Sequence, residues 1–198
     1  MQTVSPSSTD ARVNRSGEWT AGSSTNPTFV TPQLQRILAL WGERRGMHSM
    51  PARSSFTLRD LACALPQLSI VDVVADGGAT RFKVRLMGRE LDQVLAPMTG
   101  RFVDEAVPPP HSDRWSTFLT EALQHRAPTR ALSRAEYGDR RLYLVEALIA
   151  PLADDGEHPD KLMVVCFYHL FQGLDGKPSN VVSQLTSELG AAGLLTRP

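Results

Sequence analysis

The clearest alternation of apolar and polar residues lies between Thr80 and Leu91. Phe82, Val84 and Leu86 alternate with Arg81, Lys83 and Arg85, a period of two that predicts a strand with its apolar side inward. Gly88 breaks the run, and Leu91, Val94 and Leu95 then recur at helical spacing over 89–95. Upstream, residues 68–75 form a second apolar run rich in β-branched residues, joined to the first through Asp76-Gly77-Gly78. Glycine takes up positive φ without a Cβ clash, so this is a hairpin signal.

The remaining periodicities predict helices and strands in a definite order. Thr31-Pro32 opens a helix over 31–45, a hydroxyl cap followed by proline in the first turn. Its apolar stripe is Leu34, Ile37, Leu38 and Trp41, and Arg44, Arg45 and Gly46 close it. The stripe has two readings, packing on its own domain or on the same helix of a second copy. Residues 47–55 read as a loop, and Pro66 ends a short turn before the first strand. After Gly100-Arg101 and the Pro108-Pro109-Pro110 linker, Trp115, Phe118, Leu119, Ala122 and Leu123 form the cleanest amphipathic helix. Strands are expected over 129–137, 141–152 and 161–171; the last is apolar on both faces at its centre, the mark of a strand inside a sheet. A weakly amphipathic helix over 181–195 carries Val182, Leu185 and Leu189, with Asn180 as its cap.

Composition trims the possibilities. Residues 1–28 are polar, with Trp19 the one large aromatic, and are expected to be a disordered tail or to order only on a partner. Domain 29–172 follows, then a linker and the last helix over 173–198. The formal net charge is +0, which argues against binding dominated by nucleic-acid phosphates. Only Lys83, Lys161 and Lys177 are lysines. The 2 cysteines, Cys63 and Cys166, lie far apart in apolar surroundings, as buried thiols of a reducing cytoplasm do. No apolar stretch is long enough for a transmembrane helix, and the start of the chain does not read as a signal peptide. Motifs of serine hydrolases, P-loop and dinucleotide-binding proteins are missing. Histidines 48, 111, 125, 158 and 169 are scattered without metal spacing, so no metal site is expected.

The ordered set Trp41, Met50-Pro51-Ala52-Arg53, Leu65-Pro66, Ile70-Val71-Asp72, Arg81-Phe82 to Gly88, Leu91, Thr99-Gly100-Arg101, Val145-Glu146, Pro151-Leu152 and Asp154-Asp155-Gly156 resembles the PAS-like family common in alphaproteobacteria, collinearly from Leu38 to His169. The resemblance implies an α+β fold: a five-stranded antiparallel sheet with helices covering one face, plus the leading amphipathic helix. It also implies a sensory or regulatory protein rather than an enzyme, cytoplasmic and paired as a homodimer through helices such as 31–45. The candidate dimer residues are then Leu34, Ile37, Leu38 and Trp41. Haem ligation by a histidine and a flavin-reactive cysteine are both disfavoured, and no cofactor is assigned.

Glu146 stands within an apolar strand, where a carboxylate must be paired or protonated. Arg85 and Arg101 are its candidate partners, in an ion pair that is structural or part of a ligand site. In the ligand reading, Arg101 and Glu146 supply the polar contacts of a pocket walled by Met87, Trp115 and Phe118. Three functions follow: a module sensing a small molecule and signalling to a partner protein, a solid-cored adaptor, or a small enzyme using Glu146 as base. A cavity of roughly 300 Å³ or more favours sensing, and a filled interior favours the adaptor.

Overall fold

The computed structural model describes residues 19–23, 27–95, 97–107, 109, 111–136, 142–171 and 177–191. Strands β1 (Trp19–Ser23), β2 (Leu68–Asp76), β3 (Ala79–Met87), β4 (Thr129–Glu136), β5 (Leu142–Leu152) and β6 (Lys161–Leu170) form one antiparallel sheet in the order β1-β4-β5-β6-β2-β3. Helices α1 (Pro32–Arg45), α2 (Arg89–Leu95), α3 (Val103–Ala106), α4 (His111–His125) and α5 (Asn180–Ala191) complete it. The five-stranded sheet expected from the sequence is β2 to β6.

Strand β1 is a sixth, and it falls within the stretch expected to be an unstructured tail. It pairs with β4 from Trp19↔Ser133 to Ser23↔Thr129, covering an edge whose backbone groups would otherwise lack partners. No apolar periodicity announces such a strand.

The alternation along β5 explains the layers. Val145, Ala147 and Ile149 face α4 and, with Val71, Phe82, Val84, Val164 and Cys166 of the sheet, cluster with its Leu119 and Ala122. Leu148, Ala150 and Leu152 face the other way, against Leu34, Ile37, Leu38 and Trp41 of α1. Leu144 on that second side meets Leu132 and the α5 residues Val182, Leu185 and Leu189. Helices therefore cover both faces of the sheet, not one. The centre of β6 is buried on both sides, as its sequence requires.

The α1 stripe is spent inside its own domain. Leu34 and Ile37 are 0% exposed, and the Trp41 indole Nε1 donates to the Pro151 carbonyl at 2.8 Å. These four residues are not a surface for a second copy. A charged substitution there meets the core rather than a dimer interface.

The β2–β3 pairing shifts between Ile70↔Leu86 and Val71↔Val84, so that Arg85 and Leu86 together oppose Ile70. This bulge reverses the alternation predicted for β3. Phe82 and Val84 point inward as expected, but Leu86 is 46% exposed and Met87 takes the core position. Just beyond, the Gly88 N–H donates to the Leu68 carbonyl at 2.7 Å. A Cβ at Gly88 would lie 2.4 Å from the Pro66 carbonyl oxygen, a backbone atom that cannot step aside. Gly88→Ala is expected to destabilise the fold by about 1–3 kcal/mol, the usual range for overpacking, measured as a lower urea midpoint at unchanged m-value.

Candidate functional site

Two places on the sheet carry the candidate residues, and they lie on opposite faces. The first is a small cavity between the sheet and helices α2 to α4. It encloses about 40 Å³ and is lined by Ser69, Val71, Val84, Met87, Leu91, Leu95, Met98, Val103, Trp115, Leu119, Val164 and Cys166. Met87 reaches it because of the bulge, and Trp115 and Leu119 stand one turn apart on α4. The polar atoms of the lining offer a guest little. The Ser69 hydroxyl already donates to the Leu86 carbonyl at 2.7 Å. Burial pushes the Cys166 thiol up to about 12, so it stays protonated and unreactive at neutral pH. Such a space holds only a few water-sized groups, and its walls favour apolar ones.

The second place is the expected Glu146 site, and it differs from the expectation in face and in partners. Glu146 shares the parity of Leu144 and Leu148, so it projects toward α1, away from Met87 and Trp115. It is 0% exposed. Its Oε1 accepts from the Val30 amide at 3.0 Å and its Oε2 from the Thr31 amide at 2.8 Å, at the entrance to α1. Arg130 Nε donates to Oε1 at 2.6 Å, with Nη2 at 2.6 Å from the same oxygen. Arg130 Nη1 reaches Glu188 Oε2 of α5 at 2.6 Å. The carboxylate thus accepts from a cation and from backbone donors at a helix N-terminus, the end where negative charge is favoured.

Neither arginine proposed as partner is there. Arg85 Nε bonds Asp72 at 2.7 Å from an exposed position on β3. Arg101, also exposed, donates through Nη2 to the Glu105 carbonyl at 2.9 Å. Its own carbonyl accepts from the Val84 amide at 2.9 Å, and the Gly100 amide donates to the Val84 carbonyl at 2.7 Å. This stretch therefore closes the outer edge of β3. Phe118 is buried in the α4 layer but does not line the cavity. The ligand reading that joined Arg101, Glu146, Met87, Trp115 and Phe118 in one pocket is corrected: only Met87 and Trp115 share a cavity wall.

Three side chains of the Glu146 network carry no role in the sequence analysis: Arg130, Glu188 and His169. Leu132 is the direct cross-strand partner of Glu146, and Arg130 lies two residues along the same side of β4. Strand parity would have separated Glu146 from the cavity, and the diagonal neighbour would have supplied the arginine. His169 carries the same signal from the other neighbouring strand: Phe167 of β6 is the direct partner of Glu146, and His169 lies two residues along the same side. Its Nε2 lies 2.8 Å from the Thr31 hydroxyl, which therefore does not cap its own helix. Burial holds the His169 imidazole below its ordinary range, and the Glu146 charge opposes this more weakly. Among the described residues no cluster of three or more His, Cys, Asp or Glu side chains is arranged to hold a metal ion. Nor is any helix among them long and apolar enough to cross a membrane.

A family model described as a PAS domain matches residues 30–166. The chain belongs to the PAS domain family. No curated protein matches its sequence significantly. Among solved structures, the light-state structure of the blue-light photoreceptor Aureochrome1 LOV is similar over 68% of this chain and 99% of that one, at 14% identity and a TM-score of 0.43. The structure of an RNA-binding Light-Oxygen-Voltage receptor is similar over 91% of this chain and 44% of that one, at 12% identity and a TM-score of 0.44. The match to the second thus spans less than half of that chain's length. The family match begins at Val30 and ends within β6, so it leaves out β1 and α5.

Glu146→Ala leaves the half-buried Arg130 with Glu188 alone and strips the Val30 and Thr31 amides of their acceptor, and is expected to cost about 3–5 kcal/mol in urea unfolding, whereas Arg101→Ala should leave the midpoint unchanged. The His169 shift has a definite sign. A histidine with a depressed folded pKa stabilises fully above its unfolded value of about 6.5, and this contribution is lost as pH falls through the folded value. Stability is therefore expected to fall with acidification below about pH 6.5. The difference between wild type and His169→Gln, followed by urea titration across pH 5–8, should shrink over the same window.

Proposed function

We propose that this PAS domain is a regulatory module that acts by contact with a partner protein, without turnover and without a resident small molecule. The observation that carries this reading is how little space the described residues leave between the sheet and α4. The cavity under α4, at about 40 Å³, is far smaller than the roughly 300 Å³ at which small-molecule sites begin. Its walls also supply no free polar group to orient a guest. The enzyme reading has lost its base, because Glu146 is closed off from solvent and neutralised by Arg130.

The setting follows from the family and the composition. Bacterial signal transduction is the context that the sequence resemblance implies. The two unpaired cysteines suit a reducing cytoplasm, and zero net charge suits a protein partner better than a nucleic acid. Self-association belongs to the same reading, through a surface other than the buried α1 stripe.

A second reading has a specific observation in its favour: the cavity exists, and its lining is almost wholly apolar. It would suit a very small apolar ligand. Native mass spectrometry of the protein purified from its own host distinguishes the two. The expected spectrum contains the bare chain, its multiples or its complex with another protein. A stoichiometric small molecule retained on the chain would overturn the proposal in favour of sensing.

A further inference from the structure

The side of the sheet away from the cavity is covered by two helices that are distant in sequence. α1 begins at Pro32 and α5 begins at Asn180. Apolar packing accounts for most of both interfaces. Among the described residues, however, a polar chain runs between them: the Val30 and Thr31 amides to Glu146, Glu146 to Arg130, and Arg130 to Glu188. Glu146 is 0% exposed and the Arg130 side chain 17%, so water screens this chain poorly at its centre; the Glu188 side chain, at 36%, is its wet end.

We infer that Arg130 is a two-armed coupling residue, through which docking of the C-terminal helix α5 and ordering of the segment entering α1 stabilise one another. When α5 is seated, Glu188 draws one arm of the guanidinium outward and fixes its plane. The other arm is then held in register with Glu146, whose two oxygens meet the Val30 and Thr31 amides. When α5 lifts, Arg130 loses that anchor and gains access to water. Its hold on Glu146 weakens, and Glu146 in turn holds the two amides less firmly. Coupling of this kind is reciprocal, so loosening residues 30–31 must also loosen α5. The second polar tie of the same segment, the Thr31 hydroxyl to His169, bypasses Arg130 and keeps α1 in place when the coupling is broken.

The inference deepens the regulatory reading, since it supplies a route by which a partner on one terminal helix would be felt at the other. It does not depend on that partner's existence. Loss of the coupling would leave the contact-based function standing, and discovery of a ligand would leave the coupling standing.

Hydrogen exchange on the full chain tests it, with amides of α5 and of Val30–Thr31 read separately. Glu188→Gln keeps the helix and removes only the charge on Arg130's outer arm. It is expected to speed exchange at α5 and, together with it, at Val30 and Thr31 by about fivefold or more. Leu185→Ala undocks α5 by loss of apolar burial and should do the same. Val30 also packs against the α5 cluster, and this contact offers a different route. If packing is the route, Leu185→Ala speeds the Val30 and Thr31 amides while Glu188→Gln does not. That pattern, or any in which Glu188→Gln leaves those two amides unchanged, overturns the assignment to Arg130.

Discussion

Burial of β5 and β6 on both faces is the constraint from which the rest of the architecture follows. A strand with one apolar face needs one covering layer, and these two need two. The chain meets that demand with segments from opposite ends. Helices α2 to α4, inserted between β3 and β4, cover one side. Helix α1 and helix α5 divide the other, over Leu148, Ala150 and Leu152 and over Leu132 and Leu144 respectively. The PAS family match runs from the start of this arrangement to its last strand, and α5 lies beyond it.

The polar chemistry is distributed to match. Where α2 to α4 meet the sheet, the interior is apolar and nearly filled, and its one hydroxyl and one thiol are both quiet. Where α1 and α5 meet the sheet, a fully buried carboxylate accepts from a cation and from two backbone donors. A buried ion pair contributes little net stability compared with well-packed apolar groups, but removing either member is costly. Its presence beneath two helix termini suits a positional role more than a catalytic one.

Much of the fold was legible because period and parity are strong signals. The α1 stripe, the Asp76-Gly77-Gly78 hairpin and the two-sided apolar centre of β6 each led to the right element. The site was less legible, for identifiable reasons. The bulge at Arg85–Leu86 inverts the side-chain alternation of β3, and nothing in the residues themselves marks it. Strand β1 has no apolar pattern to display. The apolar run around Glu146 marks it as a carboxylate needing a partner, but it holds no register to rank Arg85 and Arg101 against other arginines. The pairing of β4 with β5 supplies it and points to Arg130.

The clamp on α1 also has a consequence for the order of events during synthesis. The bond from the Val30 amide to Glu146 spans 116 residues. At ordinary translation rates the helix leaves the ribosome on the order of ten seconds before its carboxylate does. Throughout that interval Leu34, Ile37, Leu38 and Trp41 lack β5 and β6, the strands that complete their cluster. The nascent chain thus carries an incompletely sheltered apolar helix until its central strands emerge, a period in which a holdase chaperone would find its binding motif ready-made.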